Sequence, residues 1–249
     1  MIAPRTLLVE HRDDRTIVTL HRPAERNAID ATMVSELLEL CTELESDPKV
    51  LVLTGGTDGV FAGGADIEQL QQRRRDDAFT GVNIRLFDRI RQLPMPSIAA
   101  IDGWALGGGA ELSYACDVRI ATTRTKFGQP EPQLGIIAGA GGPYRLVRLL
   151  GESVAKHILL AGKSLDADEA LRVGLVLDIV EPHELIEAAH AVVDRMLRGS
   201  LPALRLTKLA VDAPPEAHPQ VDLLAQALLF EDPEKFERMQ AFLDRKKAS

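Results

Sequence analysis

The sequence is short of basic residues, cysteines, paired histidines and long apolar runs, and each shortage removes a class of function. Lysine and arginine number 29 against 37 aspartates and glutamates, a net charge of −8. A chain of that charge repels phosphate backbones, so no nucleic-acid partner is expected. The two cysteines, Cys41 and Cys116, stand in apolar patterns without metal-ligand spacing. They read as small reduced core residues rather than as a disulfide. The six histidines are scattered, which supports neither a metal site nor a Ser/His/Asp hydrolase. The longest apolar stretches, such as 98–101 and 136–140, fall far short of the roughly 20 residues that span a bilayer, so no membrane helix is expected. The opening Met1-Ile-Ala-Pro-Arg5 soon reaches Glu10, Asp13 and Asp14 and resembles neither a signal peptide nor a transit segment. The expected location is cytoplasmic. There is no internal repeat and no low-complexity tract.

What remains is an ordinary globular composition, 45% hydrophobic and 27% charged over 249 residues, enough for one main body with a filled core. Thr6 to Glu10 and Thr16 to His21 are short β-rich runs joined through Arg12-Asp13-Asp14-Arg15, which predicts an antiparallel hairpin. Asp30 is placed to cap a helix over about 31–46, where Met33, Leu37, Leu38, Cys41 and Leu44 recur on one face. Val50 to Leu53 and Pro96 to Ile101 read as buried strands, each ended by glycine, with a helical stretch between them around Val82 to Leu93. This alternation argues for an α/β body in which helices cover parallel strands. From about residue 183 the pattern becomes helical only, over 183–197, 201–211, 221–230 and 233–246. The basic run Arg73-Arg74-Arg75 is followed at once by Asp76-Asp77 and reads as a solvated helix end or loop rather than a phosphate site.

Three stretches can carry chemistry. Phe61-Ala-Gly-Gly-Ala-Asp-Ile67 is a small-residue loop that is either a tight strand-to-helix turn or a place where main-chain N–H groups meet a ligand oxygen. In Ile101-Asp-Gly-Trp-Ala-Leu-Gly-Gly-Gly-Ala-Glu-Leu112, three glycines precede a helix expected to start near Ala110. Its N-terminus suits a developing negative charge. This run lacks the Lys and Ser/Thr of a phosphate-binding loop and the spaced glycines of a dinucleotide site. Glu111 sits just inside that helix among apolar neighbours, either as a working carboxylate or as an acid favoured by the positive helix end. Glu131, held between Pro130 and Pro132, is either a stiffly aimed carboxylate or a helix-start acid. Gly139-Ala-Gly-Gly-Pro143 precedes a helix over 143–150 and reads as a place where two backbones pack closely, not as a site.

Taken together, Phe61–Ile67, Asp102–Glu111, Cys116-Asp117, Phe127-Gly-Gln-Pro-Glu131, Leu134-Gly135 and Gly139–Gly142 closely resemble the crotonase, or enoyl-CoA hydratase/isomerase, family. Arg22-Pro-Ala-Glu-Arg-Asn-Ala28 and Ala241–Lys246 extend the resemblance over almost the whole chain. The resemblance implies an α/β fold, a crotonase-like spiral of ββα turns over residues 1–195. A C-terminal helical oligomerisation region over 196–249 would then assemble a homotrimer, or a hexamer of two stacked trimers. It implies that the N–H groups of Ala65 and Gly108 hold a thioester oxygen, that Glu111 and Glu131 are the catalytic acids, and that Ala24, Arg26, Ala62, Ala65, Asp66, Ile67 and Gly108 contact an acyl-CoA substrate. No metal or redox cofactor is implied, coenzyme A being part of the substrate.

The activity so implied is reversible hydration of a 2-trans-enoyl-CoA to a 3-hydroxyacyl-CoA. Alternatives are Δ3,Δ2-enoyl-CoA isomerisation, another acyl-CoA reaction, or an acyl-CoA binder without turnover. One family relative binds RNA through a lysine-rich helix, but here the matching helix, 30–47, has no Lys or Arg. The chain departs from common hydratase patterns at Pro132, Ala138 and Pro143-Tyr144, which touch the acyl pocket and leave the acyl-chain preference open, and at Arg245, where relatives often have a Lys that reaches coenzyme A.

Overall fold

Residues buried on both faces of a sheet leave near-continuous apolar runs, and Val50-Leu-Val-Leu53 and Ile98-Ala-Ala-Ile101 are such runs. The computed structural model describes residues 6–248; the opening Met1–Arg5 and Ser249 lie outside the described residues. The hairpin forms as β1 (Leu7–His11) and β2 (Arg15–Leu20), antiparallel with Leu7 opposite Leu20. Helix α1 (Ala31–Ser46) follows, its N-terminus capped by Asp30, whose carboxylate accepts from Met33 N at 2.7 Å. Next come β3 (Val50–Thr54), β4 (Val60–Ala62), and the helices α2 (Ile67–Gln72), α3 (Arg75–Thr80) and α4 (Val82–Arg91). Strands β5 (Ser97–Ile101) and β6 (Trp104–Leu106) lead to helix α5 (Gly108–Ala115). Then follow β7 (Val118–Thr122), β8 (Lys126–Gly128), α6 (Gly142–Leu150), α7 (Glu152–Ala161), β9 (Leu165–Asp166), α8 (Ala167–Arg172) and β10 (Asp178–Val180).

The strands form two sheets. The larger has the order β1-β2-β3-β5-β7-β10 and is parallel beyond the first pair. Period-two alternation sends Val18, Leu20, Leu51, Leu53, Ala99 and Ile101 into one apolar cluster with Leu37, Cys41 and Leu44 of α1 and Leu86, Phe87 and Ile90 of α4. Their neighbours Ile17, Val52, Ile98 and Ala100 are buried on the opposite face. Cys41 is part of this core, and burial pushes its thiol up to about 12, which makes it inert.

The smaller sheet, β4-β6-β8-β9, was not predicted, because strands of two or three residues are too short to show alternation. In it β4, β6 and β8 run parallel, with Ala62 beside Ala105 and Ala105 beside Phe127. Asp102, fully buried at the turn into β6, ties this sheet down. It accepts from Arg124 Nε at 2.8 Å, Arg124 Nη2 at 2.6 Å, Thr122 Oγ1 at 2.7 Å and Gly59 N at 2.9 Å. Burial alone would raise its pKa; these donors, led by Arg124, outweigh it and hold the carboxyl below its ordinary value.

The chain divides into two compact units, one ending at Ala191 and the other beginning at Val192, four residues before the expected boundary. Helix α9 (Leu185–Met196) crosses the division. The second unit then consists of α10 (Leu201–Asp212), α11 (Gln220–Phe230) and α12 (Pro233–Ala248), the helices read from the sequence to within two residues. It leaves large apolar side chains in the open, among them Leu223, Leu224, Leu228, Phe242 and Leu243.

Asn27 holds the first unit's loops in register. Its backbone is left-handed (φ 54), a conformation asparagine tolerates better than most residues, and its side chain is buried. Nδ2 donates to the carbonyls of Gly55, Val60 and Phe61 at 3.1–3.3 Å, and Oδ1 accepts from Arg22 N at 2.9 Å. The near-isosteric Asn27→Asp would aim a carboxylate oxygen at three carbonyls. The expected loss in urea denaturation is on the order of 2 kcal/mol or more; a loss below about 0.5 kcal/mol would show that these contacts do not hold the loops.

Candidate active site

The carboxyl ends of β4, β6 and β8 lie side by side, and each runs straight into one of the stretches singled out in the sequence. After β4 comes Gly63–Asp66, after β6 comes Gly107 and helix α5, and after β8 come Gln129, Pro130 and a 3-10 turn over Glu131–Leu134. Helix α5 starts at Gly108, two residues earlier than predicted. Gly109 within it faces Ala62 so closely that a Cβ would meet that residue's carbonyl. Only glycine lets the helix approach β4 to this distance. Gly107 (φ 49) packs against Glu131, a Cβ there falling 2.5 Å from Oε1.

Ala65 N and Gly108 N come close together: a Cβ added to Gly108 would lie 3.6 Å from Ala65 N. Gly108 is the first residue of α5, where an N–H has no intrahelical acceptor. Ala65 forms a bridge to Ile29, but the bonds of that bridge are Ile29 N to Gly64 O (2.8 Å) and Asp66 N to Ile29 O (3.3 Å), which leaves Ala65 N out. Neither N–H has an acceptor among the described residues.

Both carboxylates face the same space, a cavity of about 660 Å³ whose lining includes Ala65, Ile67, Gly108, Glu111 and Glu131. Glu111 is 2% exposed. Its Oε1 accepts from Ala140 N at 2.8 Å and Gly142 N at 2.7 Å. Burial pushes Glu111 up to about 7, with the Glu131 charge adding to the rise and the two N–H groups and Arg145 opposing it. Burial likewise raises Glu131, which is 8% exposed. With its amide turned so that nitrogen faces the acid, buried Gln129 donates to Glu131 Oε2 at 2.8 Å and to Oε1 at 3.3 Å.

Ala24, Arg26, Ala62 and Asp66, also read from the sequence, lie off the cavity lining. Ala24 and Arg26 are exposed, on and just after a 3-10 turn, and are linked to the site through Gly63 N, which donates to Arg26 O at 2.9 Å. Ala62 is buried in β4, and Asp66 caps α2 by accepting from Gln69 N at 3.1 Å. Arg73, Arg74 and Arg75 form the exposed corner between α2 and α3, at the edge of the cavity. Gly139–Gly142 was read as packing only, yet it supplies both donors to Glu111; its run of small residues was the available signal. Gln129 was quoted within a motif without a role. Among the described residues no cluster of three or more His, Cys, Asp or Glu could hold a metal ion, and no helix is long and apolar enough to cross a membrane.

The raised pKa of Glu111 has a consequence for stability. The folded state keeps this proton to about pH 7 while an unfolded glutamate loses it near 4.5, so the folded chain loses stability as pH rises between those values. Glu111→Gln removes this ionisation and keeps an oxygen for Ala140 N and Gly142 N. In urea denaturation the variant should be more stable than the parent at pH 8, by on the order of 1–3 kcal/mol, with the difference shrinking toward pH 4.5. A difference independent of pH would refute the assignment.

Known proteins are similar to this chain in sequence and in fold. Residues 14–249 match the family model described as enoyl-CoA hydratase/isomerase. A Mycobacterium tuberculosis protein described as a probable enoyl-CoA hydratase is 38% identical over 248 residues, covering 97% of this chain and 96% of the relative. The crotonyl-CoA hydratase of Syntrophomonas wolfei is 36% identical over 256 residues, covering 100% and 98%. A crystal structure of an enoyl-CoA hydratase from Bacillus anthracis superposes with a TM-score of 0.91 at 31% identity, covering 97% of each chain. Joined by sequence along nearly its full length and by fold to these proteins, the chain belongs to the enoyl-CoA hydratase/isomerase family, the crotonase superfamily.

Proposed function

We propose that this enzyme is an enoyl-CoA hydratase that adds water reversibly across the double bond of a 2-trans-enoyl-CoA to give a 3-hydroxyacyl-CoA. The observation that carries the reading is the pairing of two buried carboxylates, Glu111 and Glu131, on one cavity with two N–H groups that have no acceptor. The thioester oxygen accepts from Ala65 N–H and Gly108 N–H, and these donors stabilise the enolate that forms as the β-carbon is attacked. A donor of this kind is worth on the order of a hundredfold in rate.

Water sits between the two acids. Two like charges on one buried site disfavour double ionisation, so near neutrality the pair keeps one proton. The ionised partner takes a proton from water as oxygen bonds to the β-carbon, and a proton from the pair goes to the α-carbon. The pair ends with the one proton it began with. Hydration involves no net oxidation, so the reading requires no redox cofactor.

Coenzyme A contacts are assigned to the main chain of Ala24–Asn27 and Ala62–Ile67, including Arg26 and Asp66. The bond from Gly63 N to Arg26 O, which lays the two stretches side by side, supports this. Homotrimers or hexamers built through the second unit are part of the reading, supported by the exposed apolar side chains of α10–α12. Their expected mass is checked by light scattering. The expected location is the cytoplasm.

Purified protein should remove the enoyl-thioester absorbance of crotonyl-CoA and release the 3-hydroxy product. Glu111→Gln and Glu131→Gln should each lower kcat at least about a hundredfold with KM little changed. Wild-type turnover in either variant would take that residue out of the mechanism. No loss of absorbance with the folded parent on crotonyl-CoA or longer enoyl chains would refute the hydratase reading and turn attention to 3-enoyl-CoA substrates.

A further inference from the structure

Glu111 is aimed by a turn, and the turn is itself held. Both donors to Glu111 Oε1, Ala140 N and Gly142 N, belong to the stretch that enters α6, so the direction of the carboxylate depends on how firmly that stretch is placed. Its fastener is Arg145, one turn into α6, whose side chain is 1% exposed. Nη1 donates to Ala140 O at 2.6 Å and Nη2 to Asp88 Oδ1 at 2.6 Å, while Nε has no partner among the described residues. Asp88 lies on α4 with its side chain 43% exposed, and it also accepts from Tyr144 OH at 2.8 Å. Tyr144 in turn sets its ring 4.9 Å from the Arg145 guanidinium. A continuous path thus runs from a half-exposed aspartate on α4 through Arg145 and Ala140 to a buried carboxylate on α5.

We propose that Arg145 is a positioning residue for Glu111, anchored by Asp88 and Tyr144 and acting through the Ala140 carbonyl. The inference rests on the reading of Glu111 as a working acid. A buried guanidinium whose carboxylate partner becomes a neutral amide loses a charge-assisted bond, which makes its remaining bonds less well placed. Ala140 O is then held less firmly, and with it the N–H groups that stabilise the ionised form of Glu111. The groups that bear on Glu111 are its own burial, the Gly142 and Ala140 N–H groups, Glu131 from the 3-10 turn and Arg145 from α6; Arg91 of α4 and Tyr144 act on Arg145. Loosening the turn removes stabilisation of the charged form only, so Glu111 must titrate at higher pH.

The test compares the parent with Asp88→Asn, Asp88→Glu and Arg145→Lys. The readouts are kcat and KM for crotonyl-CoA and the titration of Glu111 itself, followed by infrared spectroscopy on protein with 13C-labelled glutamate carboxyls. The Glu111 band is identified by its absence in Glu111→Gln. Asp88→Asn should lower kcat about tenfold with KM within about twofold, and should move the Glu111 midpoint up in pH by about 0.5 or more; Asp88→Glu should restore both. Asp88→Asn alters a half-exposed side chain and carries the test if Arg145→Lys does not fold. A folded Asp88→Asn protein whose Glu111 titrates as in the parent would overturn the inference. The titration needs no turnover, so a parent protein inert toward crotonyl-CoA would refute the hydratase reading while the midpoint still judged the role of Arg145.

Discussion

Three strands of three residues each, hydrogen-bonded in parallel, impose the constraint on which the site depends. Because β4, β6 and β8 are neighbours pointing the same way, the chain segments that leave their carboxyl ends must begin at one place. Those segments carry Ala65, Gly108 and Glu131, spread over 65–131 in the sequence. The larger sheet supplies the apolar body, but it is the small one that converts distance along the chain into proximity. Asp102 secures this arrangement from beneath by accepting four hydrogen bonds from three residues around the turn into β6. Glycine does the rest, since only residues without a Cβ allow α5 to lie against β4 and Glu131 to lie against Gly107.

Within that frame the two carboxylates are placed where burial works against them. A lone ionised acid among apolar groups is unstable, and such groups respond by keeping their protons. Glu111 is relieved in part by main-chain N–H groups, and Glu131 by the Gln129 amide. The relief is incomplete in both, so both remain raised and a proton is retained close to neutrality. In the proposed hydration, the base and the acid needed to add water to a conjugated thioester are supplied by this pair, which holds one proton between two carboxyls. The stability forgone by burying Glu111 and the chemistry available from it have the same physical origin.

Much of the first unit could be read from local pattern. Apolar spacing with Asp30 as cap marked α1 over 31–46, and α1 occupies Ala31–Ser46. The hairpin, β3, β5 and α4 were found because each is long enough to display its period or its apolar run. The small sheet was invisible for the opposite reason, and α5 was placed two residues late because glycines at its start have low helix propensity and mask a boundary set by contact with β4. Glu111 and Glu131 stood out as acids in unusual surroundings and through the family resemblance of their motifs. Gly139–Gly142 looked featureless because its contribution is made by N–H groups, which every non-proline residue carries and no side chain advertises.

The sequence by itself determined the family, the parallel α/β body and the helical last quarter, and it singled out Glu111 and Glu131 as candidate acids, because these follow from periodicities and motifs contained within single segments. Tertiary structure decided what surrounds each acid. The donors to Glu111 come from residues 29 and 31 positions further on, and Arg145 binds an aspartate 57 positions before it. Hydrogen bonds of that span have no trace in local pattern; they exist only when two sheets and their helices have brought the segments together. Burial, which raises both carboxyls, is likewise a property of the assembled core, since no stretch of chain can exclude water from a side chain by itself.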